Sequence, residues 1–407
     1  MWQHLLWAGF VQFLIALATL PLPEMGDLIM YKLWANEIYD EGIHAAYALP
    51  HLQFDQYPLY LYVSKFVGGV YYLSGLYDLF GPWSRALSLL LKCAMVACHI
   101  ATAPLVYYTA RAMGYHRETA WTCFLLFVWN PGILIATVLY GYQDAFHTLL
   151  LAAGLFCLLS NRMHLTWGIC ALVFLTKPQA AIYLAPIGFY GIFQFGWQWV
   201  MRAMGMAFVV WVIVLSPFWI YGQLWGVFDM YAGTANVHEW LTGYAHNFWW
   251  LYKPVPPFAT DRLPVMWGLR ALDVGLLLFA WITVCVCVSL YKKTSAVSLA
   301  NACGLVGLTL FMVLTEIHEN HHYAVFLFLA LLVRSPIFHW MYYVLSLTFA
   351  VNLMAAKWWL ETGSIIEFGF LRLDTVNAMV NGVVFLIWIY LFFIQRAEGN
   401  DLDGFAP

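Results

Sequence analysis

The stretch TEIHENHHY, residues 315–323, gathers three imidazoles and two carboxylates at the mouth of an apolar segment. Its His318-Glu319-x-x-His322 spacing is that of a zinc protease, in which a helix presents two histidines to the metal and the glutamate acts as base. That chemistry also needs a third ligand, and Asp374 is the nearby candidate. A second chemistry fits the same residues. His318, His321 and His322 would face Lys177 and receive a phosphate, with Glu319 orienting one imidazole. A solvated helix end is the third reading.

Other polar groups have the same character. Asp27, Tyr31 and Trp34 lie three and four apart, so on a helix they share one face. Asp27 reads as a helix cap or as a general base that takes the proton of an attacking hydroxyl. Asp55 precedes Tyr57-Pro58, where proline can open a helix. Asn130-Pro131 interrupts an apolar run, which emerges at Gly141-Tyr142 and re-enters with Gln143, Asp144 and His147. Ionisable groups at such depth are costly unless paired or functional. Lys177 and Gln179 flank Pro178; a lysine there needs an anion, either Asp144 or a ligand phosphate. Near residue 246, the His246, Trp249 and Trp250 side chains suit sugar rings and headgroups, although an interfacial aromatic belt gives similar enrichment.

The elements that must hold these groups follow from composition. The 407 residues are 63% apolar and 10% charged, against about 45–50% and about 25% in soluble domains. Apolar runs recur at roughly 5–22, 87–110, 119–139, 143–160, 165–178, 180–195, 203–221, 267–290, 296–315, 320–333, 337–354 and 376–394. Inside lipid the backbone must bond to itself, so the fold is an all-α polytopic membrane protein of about 11–13 transmembrane helices. Residues 1–407 form one transmembrane domain, and Leu5 to Leu22 is a retained first helix. All eight cysteines fall in apolar segments and read as packing residues. Near-neutral net charge leaves no case for nucleic acid.

The short loops carry Arg111, Arg117, Arg162, Arg202, Lys292, Lys293, Arg334 and Arg396, which the charge rule places on the cytoplasmic side. The long loops 23–86 and 222–266 then lie outside. The run 59–76 is expected as an interfacial helix within the first of them. The region 165–195 must cross twice and is expected as a broken or re-entrant pair hinged at Lys177-Pro178.

Taken in order, these marks resemble the GT-C class of multi-spanning glycosyltransferases, which use polyprenyl- or dolichyl-phosphate-linked sugars. The matching elements are Gly26-Asp27…Tyr31…Trp34, then Asp55-x-Tyr57-Pro58, then Asn130-Pro131…Tyr140-Gly141-Tyr142-Gln143-Asp144. Lys177-Pro178-Gln179 and His318-Glu319 followed by Asn320-His321-His322-Tyr323 complete the series. The arginine of the family's late element is missing here, so a histidine or Lys177 would have to contact the phosphate.

The resemblance implies an inverting hexosyltransferase acting on a lipid-linked or other membrane-proximal acceptor. Asp27 would be the base, and Lys177, His318, His321 and His322 would hold the departing phosphate. Tyr31, Asp55, Tyr57, Gln143, Asp144, His147, Gln179, His246, Trp249 and Trp250 would meet sugar or acceptor. The active site would be extracytoplasmic: outside the plasma membrane of a bacterium or archaeon, or in the lumen of the endoplasmic reticulum. A monophosphate leaving group held by cations demands no cofactor, though Mg or Mn could sit near Asp27, Asp144 or His318. A flippase or transporter for a lipid-linked or anionic substrate uses similar broken helices and is the main alternative.

Overall fold

The structure, a computed structural model, describes residues 1–48, 57–233, 239–252, 259–292, 294–369 and 371–395. Asp55 lies outside them. The chain is an all-α, multi-spanning membrane protein. It opens with α1 (Trp2–Ala18), α2 (Gly26–Glu41), α3 (Pro58–Leu73), the short α4 (Leu76–Phe80) and α5 (Arg85–Ala112). Next come α6 (Arg117–Val128), the one-turn α7 (Pro131–Leu134), α8 (Asp144–Leu159), α9 (Met163–Phe174), the one-turn α10 (Pro178–Ala181) and α11 (Leu184–Phe195). The remainder comprises α12 (Trp197–Ile220), α13 (Leu224–Gly233), α14 (Phe248–Tyr252), α15 (Ala271–Lys292), α16 (Ala296–Val313), α17 (Val325–Leu332), α18 (Pro336–Thr362) and α19 (Leu373–Tyr390).

Among the described residues, six helices are long and apolar enough to cross a membrane, and α6 with the segment after Pro131 makes a seventh, bent candidate. The apolar helices α1, α8 and α9 are shorter than a full span. Two small antiparallel hairpins, β1 (Pro264–Met266) with β2 (Leu269–Arg270) and β3 (Glu367–Phe368) with β4 (Leu371–Arg372), precede α15 and α19. The expected helix over 59–76 forms as α3. The expected break at Lys177-Pro178 separates α9, α10 and α11.

The chain divides into two compact units. The first takes residues 1–105, 134–181 and 201–237, and the second takes 106–133, 182–200 and 238–407.

In the first unit, α2 and α3 pack through Leu28, Trp34, Ala35, Leu61, Val67 and Tyr71. They touch where Gly68 faces Ala35; a Cβ at residue 68 would lie 2.3 Å from the Ala35 carbonyl oxygen. The entry to α2 is clasped by charge. Glu24 takes Lys32 Nζ at 2.6 Å on Oε2, while Arg85, at 3.1 Å, and the Ser88 hydroxyl share Oε1. Burial works against ionisation of Glu24, but the Lys32 and Ser88 hydrogen bonds and the charges of Lys32 and Arg85 prevail and hold its pKa below the ordinary value.

In the second unit, α16 is enclosed by protein over 89% of its apolar window, whereas α15 is enclosed over 22% and leaves most of its side chains for lipid. Asn130 explains the restart after α6. Its amide donates to Tyr342 and Ser346, while its carbonyl oxygen caps the amide of Ile133.

The segment after α16 is laced to the preceding loop. Glu316 N–H donates to the Trp240 carbonyl, and Gly243 N–H to that of Ile317. Thr315 donates to Asp261 at 3.2 Å. Glu316, with φ +60°, lies beside the Asp261 carboxyl. Desolvation, then the charge and closeness of Asp261, push the Glu316 pKa up to about 8; Arg262 opposes this and Glu239 adds to it. The folded state therefore keeps a proton that the unfolded chain loses above its ordinary value of 4.5. This contribution is complete below pH 4.5 and falls away as pH rises to about 8. Glu316→Gln is expected to flatten that decline and to stabilise the protein at pH 8–9 by about 1 kcal/mol, after discounting for solvent screening. Thermal unfolding across pH measures it; an unchanged slope refutes the assignment.

Candidate active site

Tyr60, Asp144, His147 and Lys177 form the polar heart of the first unit. Pro58 starts α3 with Tyr57 as its cap, and the Leu59 N–H donates to the Leu175 carbonyl at the end of α9. This bond ties α3 to the break that exposes Lys177. Proline at 178 has no N–H to give, so the chain can turn there without orphaning a donor.

Lys177, 8% exposed, brings its Nζ to 3.6 Å from Asp144 Oδ1. Asp144 sits in the first turn of α8, where the helix dipole favours negative charge, with His147 Nε2 3.9 Å from the same oxygen. Tyr60, fully buried, donates to the Gln143 carbonyl at 2.7 Å, so the 3.2 Å contact with His147 Nδ1 has the imidazole as donor. Sequence reasoning named Asp144, His147 and Lys177 but missed Tyr60, which reads as one more aromatic in LYLY.

Asp27 occupies the first turn of α2 and is exposed, while Tyr31 and Trp34 below it are buried. Tyr31 donates to Asp27 at 3.3 Å and packs on Trp34 with ring centroids 5.6 Å apart, so the three share one face as expected. The first turn of α2 also reaches the turn that opens α8. A Cβ at Gly141 would lie 3.2 Å from Leu28 Cδ1 and 3.1 Å from Lys92 Cγ, and Gly141 has φ +73°. Lys92, 4% exposed on α5, was also missed. A lone lysine within the apolar run 87–110 was the available signal. Tyr57 lies against Tyr231 with the rings tilted and their centroids 4.1 Å apart. Among the described residues of this unit, the amide oxygens Gln143 Oε1 and Gln179 Oε1 are buried without a hydrogen-bond partner. The short α10 that carries Gln179 packs on α8.

The histidines of 318–322 belong to the second unit. They do not share the helical face that the zinc reading required. His318 is the cap of a 3-10 turn over Glu319–His322, and its N–H donates to His321 Nδ1 at 3.2 Å. His322 is fully buried, stacked on Phe311 with centroids 4.6 Å apart and flanked by Phe326 and Phe349. Neither of its ring nitrogens has a hydrogen-bond partner, an environment for packing rather than for receiving a phosphate. Glu319 is buried beside Tyr244, whose hydroxyl pKa is raised by desolvation and by that carboxylate. Among the described residues, no three His, Cys, Asp or Glu groups are placed to hold a metal ion.

Trp249 donates to the Val313 carbonyl at 2.8 Å and belongs to the packing. His246 and Trp250 line a pocket with Tyr244, Trp359 and Asp374. Asp374, considered above as a zinc ligand, is instead paired with Arg372 at 2.5 Å.

These features belong to an all-α polytopic membrane fold. The chain is similar in structure to ArnT from Cupriavidus metallidurans, solved as a crystal structure bound to undecaprenyl phosphate. The TM-score is 0.52 at 12% identity, covering 97% of this chain and 77% of that one. A weaker likeness, with TM-score 0.38 and 11% identity, is to the crystal structure of the Archaeoglobus fulgidus oligosaccharyltransferase in the apo form, covering 97% and 56%. No protein-family model and no curated protein matches the chain by sequence.

Lys177 and Asp144 can be separated into a structural pair and a ligand site by mutation. Lys177→Met should destabilise the protein by about 3–5 kcal/mol, because it strands a buried carboxylate. Adding Asp144→Asn should recover most of that loss. Urea unfolding in detergent reports both values, and a double variant no more stable than the single one would show that the pair is not coupled.

Proposed function

We propose that the protein is an inverting glycosyltransferase. It moves a hexose from a polyprenyl-phosphate donor to a lipid-linked or other membrane-proximal acceptor, on the extracytoplasmic face of its membrane. The observation that carries this reading is the meeting of the first turn of α2 with the Gly141 turn. That meeting gives one unit both an exposed carboxylate and a buried lysine at a broken helix. The GT-C-like fold supports it, as does the lipid bound to the structurally similar ArnT, undecaprenyl phosphate.

A lipid-linked sugar phosphate brings an apolar tail, a charged phosphate and a hydroxyl-rich ring to one depth, and only a site at the membrane edge satisfies all three. Asp27 takes the proton of an acceptor hydroxyl as its oxygen bonds to the anomeric carbon. The bond from that carbon to the phosphate oxygen breaks with its electron pair, and the lipid phosphate departs toward Lys177. A single displacement inverts the anomeric centre. The unpartnered oxygens of Gln143 and Gln179 suit sugar hydroxyls, which donate. The burial of His322 among phenylalanines argues for leaving it out of any phosphate site.

Mass spectrometry of lipids that co-purify with the protein should find a glycosyl phosphoprenol. Asp27→Asn should lower turnover at least about 100-fold while that lipid still co-purifies. A transporter would keep moving substrate after the same substitution, and unimpaired transfer by the variant would exclude Asp27 as the base.

A further inference from the structure

Two hairpins of the same design stand at the heads of α15 and α19. In the first, Pro264 pairs with Arg270 and Met266 with Leu269, across Trp267-Gly268. In the second, Glu367 pairs with Arg372 and Phe368 with Leu371. Each ends on an arginine held by an aspartate in the first turn of the helix that follows. Arg270 gives Nε and Nη2 to Asp273 at 2.8 Å each, and Arg372 gives the same two nitrogens to Asp374 at 3.2 and 2.5 Å. Backbone bonds close the roots as well, from the Ala271 N–H to the Leu263 carbonyl and from the Leu373 N–H to that of Ile366. Both helices run against α16 and so begin at the same end of the unit. A Cβ at Gly275, early in α15, would lie 2.6 Å from the Val313 carbonyl oxygen at the end of α16. Trp388, late in α19, donates to Asn301, early in α16, at 2.7 Å.

What these hairpins hold out is apolar. Trp267 is 88% exposed and Phe368 67%, with Met266 and Leu371 exposed beside them. Trp267 has φ +51° and Gly268 φ +79°, the two left-handed residues of a tight hairpin turn that asparagine-glycine fills without strain. A tryptophan there costs free energy, and in water its exposed ring would return nothing. Hairpins this short keep their tips within about 10 Å of the first helical turn, and both helices are long and apolar enough to span a membrane. Past the roots the exposed apolar surface continues as Leu276, Leu277 and Trp281 on α15 and Val376, Met379 and Val383 on α19. Charge does not explain the tips. Both root arginines are matched by aspartates, residues 264–269 carry no ionisable side chain, and Glu367 is the only one in 367–371. A surface that seeks anionic headgroups would be rich in unmatched lysine and arginine.

From this we infer that the two tips are seated in the headgroup–acyl boundary of the bilayer, in the leaflet where α15 and α19 begin, and dock on neutral phospholipid through Trp267 and Phe368. Rings at that depth bury apolar surface while the paired arginines stay at the headgroup level. The Leu272 N–H donates to the Asp261 carbonyl, so the first tip also ties the loop before α15 to the membrane surface. This seating does not rest on the transferase reading.

Spin-label depth measurement on the full chain in nanodiscs tests it. Nitroxides are placed by Trp267→Cys and by Phe368→Cys, with Glu239→Cys as a water-side reference and labelled wild type as the control for the eight native cysteines. The nitroxide is itself apolar and stands in for the ring it replaces. With oxygen and a nickel chelate as relaxation agents, both labels should lie about 5–10 Å inside the phosphate level. The depth should be the same in phosphatidylcholine and in its mixture with phosphatidylglycerol. If Trp267→Cys loosens its hairpin, seen as a label moving as freely as on an unfolded chain, Met266→Cys reports the same tip. Nickel access at either tip equal to that at Glu239→Cys would overturn the proposal. So would shielding of the labels from both agents, the mark of a covering protein or a second copy, or insertion confined to the phosphatidylglycerol mixture.

Discussion

Lys177 and Asp144 are two charges, each at most 8% exposed, set 3.6 Å apart where a membrane helix is broken. Neither could sit there alone, because an isolated ion in that environment costs several kcal/mol. Much of the first unit is explained by the need to hold them together. Pro178 makes the break, the Leu59-to-Leu175 hydrogen bond pins α3 against it, and the start of α8 supplies its dipole to the aspartate. His147 and Tyr60 continue the network to the Gln143 carbonyl, so the polar groups at this depth are joined rather than scattered. A pair held this way has one lysine for one carboxylate, and the remaining donors of the ammonium are left for other acceptors.

In the second unit neutral amides take up part of the same task. Asn130, Asn352, Asn377 and Asn381 each bond to partners distant in sequence: Asn130 to two hydroxyls, the other three to loop carbonyls, an amide and a ring nitrogen. Amides carry both donors and acceptors, so a single side chain can grip the carbonyl of one peptide and the N–H of the next, as Asn352 grips Tyr244 and His246. Fixing an irregular loop against membrane helices demands this. Its backbone cannot rely on water there, and no regular ladder is available.

How much of this was legible in the sequence depended on how local each signal was. The helical class and the breaks at Asn130-Pro131 and Lys177-Pro178 follow from apolar runs and proline chemistry, both of which act within a few residues. The shared face of Asp27, Tyr31 and Trp34 is a matter of helical spacing. Asp144 was one of the two anions that Lys177 could need, a ligand phosphate being the other, and the carboxylate stands 3.6 Å from the ammonium. Tyr60, Lys92 and the three asparagines of α18 and α19 were not foreseen, since their roles are set by partners far away along the chain. The zinc-site spacing of His318 to His322 is a related case. It carries meaning only on an α-helix, and the chain there forms a 3-10 turn that rotates His322 into a box of phenylalanines. Nor does spacing reveal that Trp249 and Trp250, adjacent in sequence, divide between packing and pocket.

The contact between Gly68 and the Ala35 carbonyl has a mechanical consequence. Two helices that meet with no side chain between them cannot slide past each other without lifting apart, and the stacked rings of Tyr39 and Tyr72, 4.1 Å between centroids, resist that as well. α2 and α3 therefore travel as one plank. Whatever movement admits a bulky guest to the first unit must carry Asp27 and Tyr60 together, with the bend absorbed at the ends of the plank rather than along it.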